Sequence, residues 1–195
     1  VDIGRLDGVR RDPAKIGRLF RSLARHESTP ATTATIASDT GSDESVIGED
    51  TVRGYVDALE RLMVVEPQPA WAPHLRSRSR LRQGPKRRFV DPSLAVASLR
   101  ATPERLLTDL EWFGFLFESL VVRDLRVYAQ AADAEVFHYR DNTGLEVDAI
   151  IEAQDGRWAA FEVKLGQAAI DEASASLRRF ADRIDTKKCG EPALL

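Results

Sequence analysis

The chain contains very little cysteine and no long apolar run. Cysteine occurs once among 195 residues, at Cys189, which excludes an internal disulfide framework and a zinc cluster built on cysteine thiolates. The longest apolar runs fall far short of the ~18 residues that a membrane-spanning helix needs. The opening residues also lack the apolar stretch of a secretory signal. We therefore expect a protein of the reducing cytoplasm that makes no contact with a membrane.

Two further features are missing from the sequence. The phosphate loop G-x-x-x-x-G-K-[ST] is absent, so the chain has no nucleotide site of that type. The first residue is Val1 rather than methionine, and we expect the chain to be a piece of a longer protein. Its formal net charge of -3 gives no overall attraction to nucleic acid, so any such binding must depend on where the charges lie.

The first half of the chain has the pattern of three helices followed by a β-hairpin. Apolar side chains recur at three-and-four spacing from Pro13, a second short helix follows, and Asp50 is a suitable N-cap for a third. Short strands are predicted at residues 64–65 and 88–90. This order is typical of a winged-helix domain, which we expect to cover residues 13–92.

A strongly basic segment separates the two predicted strands. It contains seven positive residues and no acid between Ala70 and Val90. In R-S-R-S-R-L-R, alternate spacing would place four guanidinium groups on one side of an extended chain, which suits contact with successive phosphates. The alternative is a solvated loop that pairs with acidic surface elsewhere. The residues assigned to nucleic-acid binding are Arg76, Arg78, Arg80, Arg82, Lys86, Arg87 and Arg88.

The second half of the chain predicts an αβββα order. Residues 93–102 form a connector with a short helix, and a long helix follows from about Leu110 to Tyr128. Two turn sequences, N-T-G and Q-D-G, separate three predicted strands. A helix is then predicted over residues 170–184, and Ala193-Leu194-Leu195 begins a further strand that is cut short. The three strands are residues 135–140, 145–151 and 158–164.

Charged residues recur on one face of two of these strands. Alternate residues of a strand share a face, so Asp148 lies on one side of its strand, and Glu162 and Lys164 share a side of the next. Neighbouring carboxylates repel unless a cation lies between them, and carboxylate oxygens are the ligands that Mg²⁺ prefers. The pattern predicts a Mg²⁺ or Mn²⁺ site. There Lys164 would position or deprotonate a water molecule and offset charge on a phosphate.

The long helix carries an acid on an apolar flank. Glu118 lies on the side formed by Phe115, Val122 and Leu125, where an unpaired carboxylate is costly. We expect it to face the same site as the strand residues. The main apolar face of this helix is predicted to consist of Phe113, Phe117, Leu120, Val121 and Tyr128.

The motifs G-L-E-V-D-A-I-I and F-E-V-K-L-G resemble the metal-binding strands of the PD-(D/E)xK nuclease superfamily. Val147 stands where the proline of the family's name would precede the aspartate. The resemblance implies that Asp148, Glu162 and Lys164 are catalytic, and that Asp148, Glu162 and Glu118 bind a divalent metal.

A wider resemblance covers most of the chain. The run from F-V-D-P-S-L-A through G-F-L-F-E-S-L-V-V-R-D-L to E-V-D and E-V-K is similar to the C-terminal region of prokaryotic AAA+ ATPases. It implies a mixed α/β (α+β) chain in which a winged-helix-like part precedes an αβββα core like that of restriction endonucleases, with the final strand truncated. ATP would bind only in a preceding region. The implied parts are a linker (1–12), a winged-helix-like domain (13–92), a connector (93–102) and a nuclease-like domain (103–195).

These features lead to one main hypothesis and two alternatives. The main hypothesis is a module of an ATPase that hydrolyses phosphodiester bonds of DNA or RNA with a bound metal ion. The first alternative is a non-catalytic module that uses the nuclease fold to hold nucleic acid or a protein partner. In the second, the acids and the lysine form only a salt-bridged lattice on the sheet. A site that opens into a cleft favours chemistry, whereas a covered site favours binding.

Overall fold

The computed structural model forms two compact units that interleave along the sequence. Unit 1 contains residues 1–67 and 87–116, and unit 2 contains residues 68–86 and 117–195. These units differ from the expected contiguous domains, because the segment 68–86 belongs with the C-terminal residues. The structure describes residues 8, 11–41, 46–73, 84–185, 189–190 and 192–195.

Unit 1 is mainly helical. Its core is formed by apolar side chains that include Leu19, Val52 and Phe89. Helix α1 packs on α4, so the segment expected to be a connector belongs to the body of this unit. The helices are α1 (Pro13–Arg25), α2 (Thr33–Ser38), α3 (Glu49–Arg61), α4 (Pro92–Leu99) and α5 (Pro103–Thr108).

Helix starts in unit 1 follow local capping chemistry. Asp12 and Asp91 each accept a hydrogen bond from a backbone amide in the first turn of α1 and α4, with proline as the next residue. The predicted cap of α3 is wrong. That helix begins at Glu49 with Gly48 as its N-cap, and Asp50 lies inside the first turn, where a carboxylate favours the positive end of the helix dipole. Helix α5 was not predicted.

Two short strands link the helices of unit 1 to the segment 68–86. Strands β1 (Val65–Gln68) and β2 (Lys86–Phe89) pair in a two-stranded sheet. The last residue of β1 and the first residue of β2 belong to unit 2. The two predicted strands therefore pair with each other, and each is shifted in sequence from the position expected.

Unit 2 is built on a four-stranded sheet with the order β3-β4-β5-β6. The first three strands are antiparallel, and β6 lies parallel to β5, so the predicted αβββα order and the final strand are confirmed. The elements are α6 (Leu110–Ala131, in unit 2 from Phe117), β3 (Ala134–Arg140), β4 (Glu146–Ala153), β5 (Trp158–Phe161), α7 (Ile170–Arg183) and β6 (Ala193–Leu194).

Both faces of the sheet are covered by a helix. One cluster joins sheet residues to Leu177 and Phe180 of α7, and the other joins them to Val122 and Ala129 of α6. The predicted main face of α6 is wrong, since Tyr128 is 69% exposed. The buried side is the one that carries Glu118, because Val122, Leu125 and Ala129 pack there against apolar side chains of the sheet. In the part of the chain that the structure describes, no helix is long and apolar enough to cross a membrane.

Candidate functional site

The strand that carries Asp148 is bulged at that residue. In the pairing of β3 with β4 the register shifts around His138, so that Asp148 and Ala149 both lie opposite this one residue. Bulges re-aim side chains and are frequent beside functional sites. Asp148, which is 8% exposed, is thereby held inside the site rather than on an open sheet face.

The bulge also changes which residues of β4 share a face. The sequence predicts Val147, Ala149 and Ile151 on one face. In the structure Val147 packs with Ile150 in the cluster beside α7, whereas Ala149 and Ile151 belong to the cluster beside α6. The predicted alternation is wrong here because an inserted residue reverses the two-residue period of a strand.

Gln68, the first residue of the segment 68–86, stabilises the bulge through hydrogen bonds. Its side-chain amide donates to the carbonyl oxygens of Phe137 at 2.9 Å and of Asp148 at 3.0 Å. The backbone of residues 69–71 pairs with His138, the residue opposite the bulge. Backbone groups that the bulge removes from the ladder are thus hydrogen-bonded by this segment. Sequence reasoning missed Gln68, since nothing in its local pattern points to a partner so distant along the chain.

Glu162 and Lys164 lie just beyond the end of β5. The strand ends at Phe161 instead of continuing to Lys164. The amide of Val163 then donates to Asp148 Oδ2 at 2.9 Å, so a carboxylate replaces the backbone acceptor of a neighbouring strand. Lys164 Nζ lies 2.8 Å from Glu162 Oε2 and 3.5 Å from Asp148 Oδ2. The structure therefore brings Asp148, Glu162 and Lys164 together, as the sequence predicts.

A second lysine lies on the opposite side of Asp148. Lys86 Nζ is 3.2 Å from Glu118 Oε1 and 4.0 Å from Asp148 Oδ1. The side chains of Lys86 and Glu118 are only 3% and 9% exposed. Glu118 thus lies beside Asp148, as expected, but it contacts an ammonium group there. Sequence reasoning placed Lys86 in the basic segment and missed this contact.

The charges of the cluster change the proton affinity of two of its members. Burial, together with the neighbouring Asp148 carboxylate, raises the pKa of Glu162 to about 8, although Lys164 acts in the opposite direction. Burial by itself would lower the pKa of Lys164, but Asp148 and Glu162 outweigh it and raise that pKa above its ordinary value. At neutral pH, Glu162 is therefore mostly protonated and Lys164 is charged, which makes this lysine a poor general base.

The cluster opens into a cavity of about 470 Å³. Asp148, Glu162 and Lys164 line one part of it, and residues of α7 line another. The α7 residues include the basic side chains of Arg179 and Arg183. Arg183 is held by Asp141 Oδ2 at 2.5 Å and by Thr143, whereas Arg179 is exposed. The site is therefore an open pocket with acidic and basic walls. Sequence reasoning did not identify the arginines of α7.

The carboxylates of the site form a pair rather than a set of three. Among the described residues, no three side chains of His, Cys, Asp or Glu are grouped so as to hold a metal ion. Asp148 and Glu162 form a pair of adjacent carboxylates, and Glu118 contacts Lys86 instead. Mg²⁺ is commonly bound by one or two carboxylates, with water and phosphate as its remaining ligands. The pair fits such an ion, whereas a cage of three protein carboxylates does not.

The three described basic residues of the segment, Lys86, Arg87 and Arg88, are less exposed than expected. Lys86 and Arg88 are each 3% exposed, and Arg88 contacts the hydroxyl of Ser28 within unit 1. Arg87 Nε lies 3.7 Å from Glu60 Oε1. Their burial does not favour the assignment of Lys86 and Arg88 to nucleic-acid binding, because a buried cation is compensated by the protein around it. The predicted arginines at 76, 78, 80 and 82 lie outside the described residues.

The fold and the site together define a mixed α/β protein whose second unit holds a carboxylate–lysine cluster at an open pocket. The family model described as Domain of unknown function (DUF8612) matches residues 1–105, and the chain belongs to this family. A second model, Domain of unknown function (DUF4143), matches residues 113–193, and domains of that kind are commonly found in AAA-ATPase-associated proteins. No curated protein and no solved structure matches the chain.

Proposed function

We propose that unit 2 is a nuclease-like domain of the PD-(D/E)xK type that hydrolyses phosphodiester bonds of nucleic acid with one bound Mg²⁺ or Mn²⁺. The observation that carries the proposal is the convergence of Asp148, Glu162 and Lys164 at an open pocket. A cluster of salt bridges that only stabilises the fold needs no cavity beside it, whereas a catalytic site needs one to bind its substrate.

Each member of the cluster has a distinct task in this proposal. Asp148 and Glu162 would hold the cation, which would supply Lewis-acid polarisation of a phosphoryl oxygen and activation of water. Burial lowers the pKa of Lys164, but the neighbouring carboxylates outweigh this effect and raise the pKa above its ordinary value. As a result, Lys164 stays charged. It therefore orients the attacking water by hydrogen bonding and offsets negative charge on the phosphate, rather than removing a proton.

Helix α7 supplies the charge that an anionic substrate needs. Arg179 and Arg183 are one helical turn apart and both line the pocket. Arg183 is kept in place by Asp141 and Thr143, and Arg179 is exposed toward solvent. A guanidinium group matches a phosphate through paired hydrogen bonds, so we assign these arginines to binding of the substrate backbone.

The front of the chain is assigned to recognition. We infer a winged-helix-like role for the helices of unit 1, and a place for the whole chain as the C-terminal module of an AAA+ ATPase. The match to a domain commonly found in AAA-ATPase-associated proteins supports that association. DNA, RNA and a protein are the candidate partners of this part.

A second candidate function is a non-catalytic module that binds nucleic acid or protein through the same fold. The contact of Glu118 with Lys86 favours it, because this carboxylate is already compensated by an ammonium group. Protonated Glu162 and charged Lys164 further reduce the demand for a cation at neutral pH.

The deciding experiment is calorimetric titration of Mn²⁺ into the wild-type chain and the Asp148→Asn/Glu162→Gln variant, followed by cleavage assays on DNA and RNA. Asparagine can still accept the hydrogen bond from Val163, so the variant removes charge while keeping this contact. We expect Mn²⁺ binding and Mn²⁺-dependent cleavage in the wild type and neither in the variant.

Glu172→Gln is the matched control, because Glu172 lines the same pocket from α7 but lies outside the carboxylate pair. It should bind Mn²⁺ like the wild type. Folded wild-type protein that binds no Mn²⁺ would contradict the nuclease proposal and favour the non-catalytic module. Binding without cleavage of either nucleic acid would also favour that module.

A further inference from the structure

Lys86 is by far the less accessible of the two lysines at the site. Its side chain is 3% exposed, compared with 35% for Lys164. It is the first residue of β2 and reaches the cluster from the side opposite Lys164, toward Glu118 and Asp148. Removing an ammonium group from water is energetically costly unless anions compensate its charge. The two neighbouring carboxylates provide that compensation.

The position of Lys86 competes with that of a metal ion. Its Nζ lies 3.2 Å from Glu118 Oε1 and 4.0 Å from Asp148 Oδ1, so it occupies the space between the two carboxylates. A divalent cation bridging those same oxygens would need this space and would be repelled by the ammonium charge. On the other side of Asp148, Lys164 Nζ likewise lies between two carboxylates, 3.5 Å from Asp148 Oδ2 and 2.8 Å from Glu162 Oε2. Its side chain is 35% exposed and lines the open pocket, so it has room to move aside for an ion, whereas the buried Lys86 does not.

We propose that the Lys86 ammonium takes the place of a cation between Glu118 and Asp148, so that Glu118 is not a metal ligand and the site accepts only one divalent ion. The inference rests on the proposed function for the ion at Asp148 and Glu162. It makes Lys86 a positioning residue, which contacts Asp148 on the side opposite Lys164. The reaction would then be of the one-metal class, in which protein cations rather than a second ion compensate the remaining charge.

The test is the number of Mn²⁺ ions bound per chain, measured by calorimetry and by electron paramagnetic resonance of free Mn²⁺. We expect one ion in the wild type and two in Lys86→Met, because methionine retains much of the side-chain length and removes the charge. The double variant Lys86→Met/Glu118→Gln should return to one ion, since the vacated space then lacks its second carboxylate. An unchanged count in folded Lys86→Met would overturn the inference.

Lys164→Met serves as the matched control. Lys164 contacts Asp148 and Glu162 but not Glu118 in the described hydrogen bonds and ion pairs, so its removal should leave the count at one. If Lys164→Met gains an ion as Lys86→Met does, the effect is general loss of positive charge and the specific role of Lys86 is refuted.

Two outcomes separate this inference from the proposed function. If the wild type binds no Mn²⁺ and Lys86→Met binds one, the nuclease proposal fails while the role of Lys86 stands. If neither binds, both fail. Should Lys86→Met be unfolded without metal, Mn²⁺ is expected to restore its circular dichroism and cooperative unfolding, since the ion replaces the ammonium. Failure of Mn²⁺ to restore the fold would overturn the inference.

Discussion

In the proposed metal site, Glu162 would connect proton binding to cation binding. Burial and the Asp148 charge raise its pKa to about 8, so at neutral pH this carboxyl group is mostly neutral. A divalent ion needs the ionised form as a ligand. If Glu162 is a ligand as proposed, binding of the ion is expected to release a proton from it below about pH 8, and none well above that pH.

Mn²⁺ affinity is accordingly expected to rise with pH. Below the pKa of Glu162, each pH unit should strengthen binding about tenfold, because the ionised fraction increases in that proportion. The increase should level off above about pH 8. Titrations in buffers of different ionisation enthalpy measure the affinity and the protons released together.

The control for this pH dependence is Glu162→Gln, which should bind Mn²⁺ more weakly and with little pH dependence up to pH 8. A wild-type affinity that stays constant over that range would contradict the release of a proton from Glu162 on binding of the ion.

At the scale of elements, the site depends on an irregularity in the sheet. The bulge at Asp148 and the end of β5 at Phe161 leave backbone groups without regular strand partners. Side chains take their place, with Gln68 donating to two carbonyl oxygens and Asp148 accepting from Val163. The orientation of the Asp148 carboxylate therefore depends on the bulge, and the bulge depends on Gln68, which is far away in sequence.

Gln68→Met tests this coupling. We expect it to reduce the free energy of unfolding by about 1–3 kcal/mol, because buried carbonyl oxygens lose their donor. Mn²⁺ affinity should fall as well, since Asp148 is less well held. Denaturant unfolding and calorimetry measure the two effects. Gln154→Met, in an exposed turn, is the comparison variant and should change neither quantity appreciably.

Equal stability and equal Mn²⁺ affinity of Gln68→Met and the wild type would contradict a supporting role of Gln68. A loss of stability with unchanged affinity would limit that role to the sheet and exclude the coupling to Asp148.

At the scale of the whole molecule, unit 2 is not continuous in sequence. The segment 68–86 supplies Trp71, whose ring centroid lies 4.9 Å from that of Trp158 and 6.0 Å from that of Phe180. It also supplies Gln68 and Lys86 at the site. A unit of this kind cannot be excised at a single boundary.

A fragment of residues 103–195 is therefore expected to fold poorly. It contains the expected nuclease-like domain but lacks Trp71, and loss of a buried tryptophan costs about 3–5 kcal/mol, a large share of the stability of a small domain. Near-ultraviolet circular dichroism and cooperative unfolding, compared with the full chain, measure the effect. A cooperatively folded fragment with native-like Mn²⁺ binding would show that the segment 68–86 is dispensable.

The sequence by itself determined the order and approximate positions of the main helices and strands of unit 2. Their signals are local: apolar spacing, turn residues and proline positions act within a few residues of one another. It also indicated Asp148, Glu162 and Lys164 as neighbours, because E-V-D and E-V-K are predicted on adjacent strands. The bounds of individual elements were less certain, as the N-cap of α3 and the end of β5 illustrate.

Only the tertiary structure decided how the site is completed. The burial of Lys86 against Glu118, the two hydrogen bonds of Gln68 and the bulge at Asp148 all depend on contacts between segments far apart in the chain. Such contacts produce no recognisable pattern in the sequence, because a residue does not restrict the types of the residues that flank its distant partner. A lysine in a basic run has the same sequence environment whether it faces solvent or a buried carboxylate, and the surrounding packing alone determines which.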